Sequence, residues 1–136
     1  MPNVKIYPDT THRTRLSSQA QEFREAYQIA NTKSAATRTK QKNLIIEEFK
    51  EFLEAEGLMF RNNPGLHANC LKELADLVYV CYQYAENMNW DLDKAMHLVH
   101  VSNMSKLDEY GKPIYREDGK VLKGPNYTPP NLEDLV

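Results

Sequence analysis

Glu48 and Glu51 stand three residues apart, and so do Glu73 and Asp76. At about 100° per residue, that spacing puts both members of each pair on one side of a helix. Glu48 falls between Leu44 and Phe52, and Glu51 lies beside Leu44, within an arc that is otherwise apolar. Glu47 sits further round, and Glu54 further still, toward solvent. An unpaired carboxylate is costly to bury, so something must compensate Glu48 and Glu51. Glu73 and Asp76 repeat the anomaly, flanking Val80 beside the main apolar face of a later helix. In an antiparallel pairing of the two helices the carboxylates can face one another. Four oxygen-bearing groups converging in a semi-buried site are what hard Mg²⁺ or Mn²⁺ ions require. A structural salt-bridge network, with Lys72 or another base neutralising the acids, is the alternative that spacing leaves open.

The elements that must carry these groups are helical. With 136 residues, 41% hydrophobic and 26% charged, the chain has the composition of one folded domain. Ser17 or Ser18 can cap a first helix bearing Phe23, Ala26, Tyr27 and Ala30 and ending near Asn31, followed by a linker over residues 32–36. A second helix is predicted from about Thr37 to Glu56, with Gly57 as its stop and Leu44, Ile45, Phe49, Phe52 and Leu53 as its apolar face. After a loop containing Asn62-Asn63-Pro64-Gly65, a third helix should run from about His67 to Asn87. It is apolar over most of its circumference, so it belongs in the middle of a bundle. Asp91 caps a fourth helix, striped by Leu92, Ala95, Met96 and Val99 and lasting to about Leu107. The predicted class is therefore all-α, a four-helix bundle over residues 17–107. An extended lead-in, 1–16, precedes it, and an irregular tail, 108–136, follows within the same domain. Asp118-Gly119 in that tail signals a two-residue hairpin.

Composition also excludes functions. Seventeen Lys and Arg against nineteen Asp and Glu leave no basic field for a nucleic-acid polymer or an acidic membrane. The start lacks the apolar stretch of a signal peptide, and no run is long enough to span a bilayer, which points to the cytoplasm. Cys70 and Cys81 lie eleven apart on one helix, too far along its axis to bridge, and are expected as reduced thiols. Glycine-rich phosphate loops, Cys-x-x-Cys, His-Glu-x-x-His and Gly-x-Ser-x-Gly are all missing. On the fourth helix, however, the apolar stripe continues into Asn103 and Lys106. A lysine held near a carboxylate–metal cluster is a natural phosphate ligand. His97 and His100 lie off that stripe, as ordinary surface or edge histidines.

Together these residues resemble the all-α NTP pyrophosphohydrolases, which include MazG-like proteins, dimeric dUTPases and phosphoribosyl-ATP pyrophosphohydrolase. The family pattern is Glu-Glu-x-x-Glu followed after a gap by Glu-x-x-Asp, and here Glu47-Glu48-Phe49-Lys50-Glu51 and Glu73-Leu74-Ala75-Asp76 match it. Glu22-Phe23-Arg24-Glu25-Ala26-Tyr27 is similar to the first helix of phage and bacterial members, although the aromatic there is often preceded by a histidine, whereas here Arg24 follows Phe23. The stretches from His100 to Lys106 and from Gly119 to Tyr127 are similar to their closing segment. The resemblance implies that Glu48, Glu51, Glu73 and Asp76 hold Mg²⁺, with Mn²⁺ as a substitute. Glu47 and Glu48 would be catalytic, Glu47 either ligating or orienting the attacking water. It further implies that Asn103, Lys106, Lys123, Asn126 and Tyr127 contact a nucleoside triphosphate that is cut to a monophosphate and pyrophosphate. Phosphoribosyl-ATP hydrolysis, without an accompanying cyclohydrolase domain, and a non-catalytic helical interaction module are the alternatives. So apolar a third helix in a 15.8 kDa chain is expected to need a homodimer or tetramer to cover it.

Overall fold

The computed structural model describes residues 15–59 and 62–136; most of the expected lead-in, residues 1–14, lies outside them. The all-α class is what forms: α1 is Leu16–Ala26, α2 Ala35–Gly57, α3 Pro64–Asn87 and α4 Leu92–Met104. Among the described residues the strand content is one isolated antiparallel bridge, Tyr115 to Val121. One compact unit runs to Trp90 and a second is Asp91–Val136. In the first, α3 packs against both α1 and α2.

Local chemistry moves several helix ends from where periodicity puts them. Winding of α1 begins before Ser17, with Arg15 as a cap that offers no side-chain bond. The helix stops at Ala26, short of Asn31, because Gln28 turns into the left-handed region at φ 56°. The amides of Gln28 and Ile29 then reach back to the carbonyls of Glu25 and Arg24 at 3.2 and 2.8 Å, a Schellman closure. Asn89, at φ 57°, ends α3 in the same way, with Trp90 N–H bonding Ala85 O at 2.9 Å. Of the residues expected as a 32–36 linker, 32–34 do connect the helices, but Ser34 caps α2 by accepting from Thr37 N–H at 3.2 Å, and Ala35 and Ala36 are already helical. α3 starts at Pro64, three residues before the predicted His67. Asn63 caps it through Gly65 N–H at 2.8 Å, and proline at the first position gives up no useful donor. Asp91 caps α4 through Lys94 N–H at 3.0 Å, as expected, but the helix ends at Met104 rather than Leu107.

The core is small: Ala20, Ala55, Cys70, Tyr82, Ala85 and Met88. Both cysteines are free. Of the predicted α2 face, Leu44, Ile45 and Phe52 are half-buried, whereas Phe49 and Leu53 turn outward with Ile46 as a second, exposed apolar stripe. Met96, predicted on the inner stripe of α4, is likewise exposed.

The first unit is tied together by a buried cation that periodicity does not reveal. Arg24 is 2% exposed and Asn87 0%. The guanidinium donates to Asn87 Oδ1 at 3.0 Å, Gln83 Oε1 at 3.3 Å, Ala30 O at 3.1 Å and Asn31 Oδ1 at 2.6 Å. Asn87 Nδ2 in turn donates to Thr32 O at 2.9 Å. Burial lowers the Arg24 pKa and nearby Glu86 raises it in part. These bonds curl residues 27–32 back over the C-terminal end of α3, which is why α1 cannot continue. Arg24→Met should cost about 3 kcal/mol in urea unfolding, since it strands buried amide oxygens, and Arg24→Lys should restore only part because an ammonium lacks the planar fork. Equal stability of Arg24→Lys and the parent would show that the fork is dispensable.

Candidate functional site

α2 and α3 bring the predicted carboxylates into one seam. One oxygen each from Glu48, Glu73 and Asp76 lies within 4.8 Å of the others, and all three residues are half-buried. Oxygens about 2.1 Å from an octahedral Mg²⁺ stand roughly 3 to 4 Å apart, so small side-chain movements would close these three around an ion. Glu51, also half-buried, shares a hydrogen bond with Glu48 but is not one of the converging three. Glu47 is exposed and outside the cluster.

The electrostatics are unresolved within the protein itself. Burial first, then the hydrogen bond to Glu51, then the charges of Glu51, Asp76 and Glu73 push the Glu48 carboxyl up to about 7. Lys72 reaches Asp76 Oδ2 at 2.8 Å and Glu73 Oε1 at 3.4 Å, so part of the salt-bridge alternative is present too. Its exposed ammonium leaves Glu48 Oε2 and Glu73 Oε2 buried without a hydrogen-bond partner. Two orphaned, hard oxygen donors beside a third carboxylate fit a divalent cation, which would satisfy both at once.

The remaining site candidates belong to the second unit, where they cluster at the end of α4. Asn103 is exposed and Lys106 half-buried. Lys106 O accepts from Gly124 N–H at 2.8 Å, and Lys123 Nζ lies 4.7 Å from the centre of the Tyr127 ring. Asn126 is exposed, with its carbonyl accepting from Thr128 Oγ1 at 3.4 Å. The hairpin ahead of them has a three-residue loop rather than the expected two. Arg116 N–H bonds Lys120 O at 2.8 Å, Gly119 N–H bonds Arg116 O at 2.9 Å, and Gly119 takes φ 87°. That is a turn closed by a left-handed glycine bulge, which places glycine third rather than second.

Periodicity missed Gln83 and Asn87, although a signal exists. They continue the Glu73, Asp76, Val80 stripe of α3 at spacings of three and four. What spacing does not contain is their partner, Arg24, 59 and 63 residues away.

A pH dependence follows from Glu48. Its carboxyl holds a proton up to about 7 when folded but loses it near the ordinary 4.5 when unfolded. The folded state therefore binds the extra proton between those values, and the stability it brings below 4.5 is lost as pH rises through 7. Thermal unfolding in a chelator should show the melting temperature of the parent falling across that window relative to Glu48→Gln. A constant difference between the two would mean that Glu48 is not strained by its neighbours.

The phosphoribosyl-ATP pyrophosphohydrolase family model matches residues 11–103, more than half of the 136. No curated protein matches the chain. The match covers α1, α2, α3 and nearly all of α4, including both carboxylate pairs. The chain therefore belongs to the phosphoribosyl-ATP pyrophosphohydrolase family, all-helical enzymes of the MazG-like type that hydrolyse nucleotides to release pyrophosphate.

Proposed function

We propose that the chain is a Mg²⁺-dependent nucleoside triphosphate pyrophosphohydrolase of the cytoplasm, converting an NTP or dNTP and water to the monophosphate and pyrophosphate. The observation that carries this reading is the meeting of Glu48, Glu73 and Asp76 with two orphaned oxygens. Glu48, Glu73 and Asp76 would hold the ion, with Glu51 hydrogen-bonded behind Glu48 to complete or orient the set. Bound Mg²⁺, or Mn²⁺ in its place, supplies phosphate charge screening and a more acidic water. Glu47, next in the chain to Glu48 and open to solvent, is available to accept the proton of an attacking water. Lys106 and Lys123 would meet phosphate charge, and Asn103, Asn126 and Tyr127 the sugar or base. No helix among the described residues is long and apolar enough to cross a membrane.

Phosphoribosyl-ATP is the second substrate reading, favoured by the description of the matching family. The same phosphoanhydride chemistry serves both, so a panel of NTPs, dNTPs and phosphoribosyl-ATP assayed for pyrophosphate with Mg²⁺ separates them. Turnover of phosphoribosyl-ATP alone would replace the first reading with the second, and no release from any member would leave a helical interaction module. Glu48→Gln and Asp76→Asn should each abolish release while the fold survives, because each removes ionic charge without volume. Near-parental rates at saturating Mg²⁺ in either variant would take that residue out of the site.

We further infer a homodimer or tetramer in which a second copy covers the α1–α3 face. Leu71 is 67% exposed, and Leu74 and Val78 are exposed beside it. With Leu16, Ala20 and Tyr82 they line an apolar cavity of about 330 Å³ that no charged residue borders. An uncharged, apolar helix face suits another copy of itself better than a charged partner. Sedimentation should show an oligomer that Val78→Glu dissociates; a parental monomer at micromolar concentration would end this reading.

A further inference from the structure

The tail of the second unit returns along the last turn of α4 and is fastened to it at two points. At one, Ser102 Oγ donates to Thr128 O at 2.8 Å, while Thr128 N–H donates to Ser105 Oγ at 3.0 Å. At the other, Gly124 N–H donates to Lys106 O at 2.8 Å. The second contact admits only glycine. A Cβ at position 124 would stand 2.6 Å from Lys106 O and 2.5 Å from Leu107 O. Both obstacles are backbone, so neither can swing aside as a side chain would. Gly124 is thus where main chain presses on main chain. The residues on either side of that contact are Lys123 and, across it, Lys106.

We propose that Gly124 is a positioning residue, locking the 123–128 strap onto the end of α4 so that Lys106 and Lys123 are held together as one grip for a diphosphate group. The inference rests on the proposed reading that these two lysines meet the phosphates of the substrate. Two ammonium groups on separate flexible stems lose side-chain and chain entropy when they close on one anion. Tying their backbones together removes part of that cost before binding. Tyr127 adds to it by lying beneath the Lys123 ammonium, which keeps that stem from wandering.

Inorganic pyrophosphate, titrated by calorimetry into the full chain in EDTA, tests this without any contribution from a divalent ion. The parent should bind, and Gly124→Ala should bind about tenfold or more weakly, the loss expected when one charge-assisted contact is misplaced. Lys123→Ala should lose a similar factor. The double variant Gly124→Ala, Lys123→Ala should be no weaker than Lys123→Ala alone, because Gly124 acts through the lysine. A merely structural role would instead give additive losses. Ser105→Ala loosens the other fastening with no backbone clash, so it should show a smaller loss of the same kind. Absence of pyrophosphate binding by the parent, parental affinity in Gly124→Ala, or additive losses would each overturn the proposal. Nucleotide hydrolysis with Mg²⁺ keeps the two readings apart. A parent that binds pyrophosphate through Gly124 but hydrolyses nothing keeps the grip and loses the enzyme; a parent that hydrolyses while Gly124→Ala binds normally does the reverse.

Discussion

Like charges forced together between two helices are the constraint around which the first unit is organised. Glu48 sits in a half-buried seam where burial and the charges of Glu51, Asp76 and Glu73 all raise the cost of ionising it. The two longest helices, of 23 and 24 residues, supply the packing that holds them there. Relaxation of the seam would be the easy route to lower energy. It is resisted by the packing of α2 on α3, helices on which Leu44, Phe52 and Leu77 are half-buried, and by the cap at each helix start.

The polar stripe of α3 is of opposite character at its two ends. Toward the N-terminal half it is acidic, with Glu73 and Asp76; toward the C-terminal end it is amide, with Gln83 and Asn87, and there it meets a buried guanidinium. The amide end is fully satisfied and makes the loop after α1 part of the core. The acidic end keeps two oxygens without partners. One helix thus carries a finished structural network and an unfinished one, and the unfinished one is where chemistry is available.

Helical periodicity was enough to place the carboxylates, because a pair three apart shares a face wherever its helix begins or ends. It was not enough to say which would converge: Glu48 and Glu51 share one side of α2, yet of the two Glu48 joins Glu73 and Asp76. The start of α4 was legible because Asp91 directly precedes the apolar stripe, whereas the caps Ser34 and Asn63 stand several residues ahead of the apolar period of α2 and α3 and so were passed over. The end of α1 was illegible because glutamine at position 28 took a conformation normally left to glycine or asparagine. The burial of Arg24 was illegible because its acceptors lie on another helix and in the loop that its own bonds shape. Phe49 and Leu53 looked internal because apolar residues on α2 outnumber the places inside a single copy for them to go.

Lys72 gives the acidic cluster a resident counter-ion on a tether. Its ammonium, one residue from Glu73 and four from Asp76, neutralises part of the seam while remaining mostly in solvent. A divalent cation entering there would exchange with the lysine rather than fill an empty electrostatic well, and the ammonium would be released to water at little cost. Exchange of that kind flattens the affinity in both directions. The chain without an ion is spared the full repulsion of its carboxylates, and an ion leaving with a charged product is replaced at once by a group that was never more than a side chain's length away.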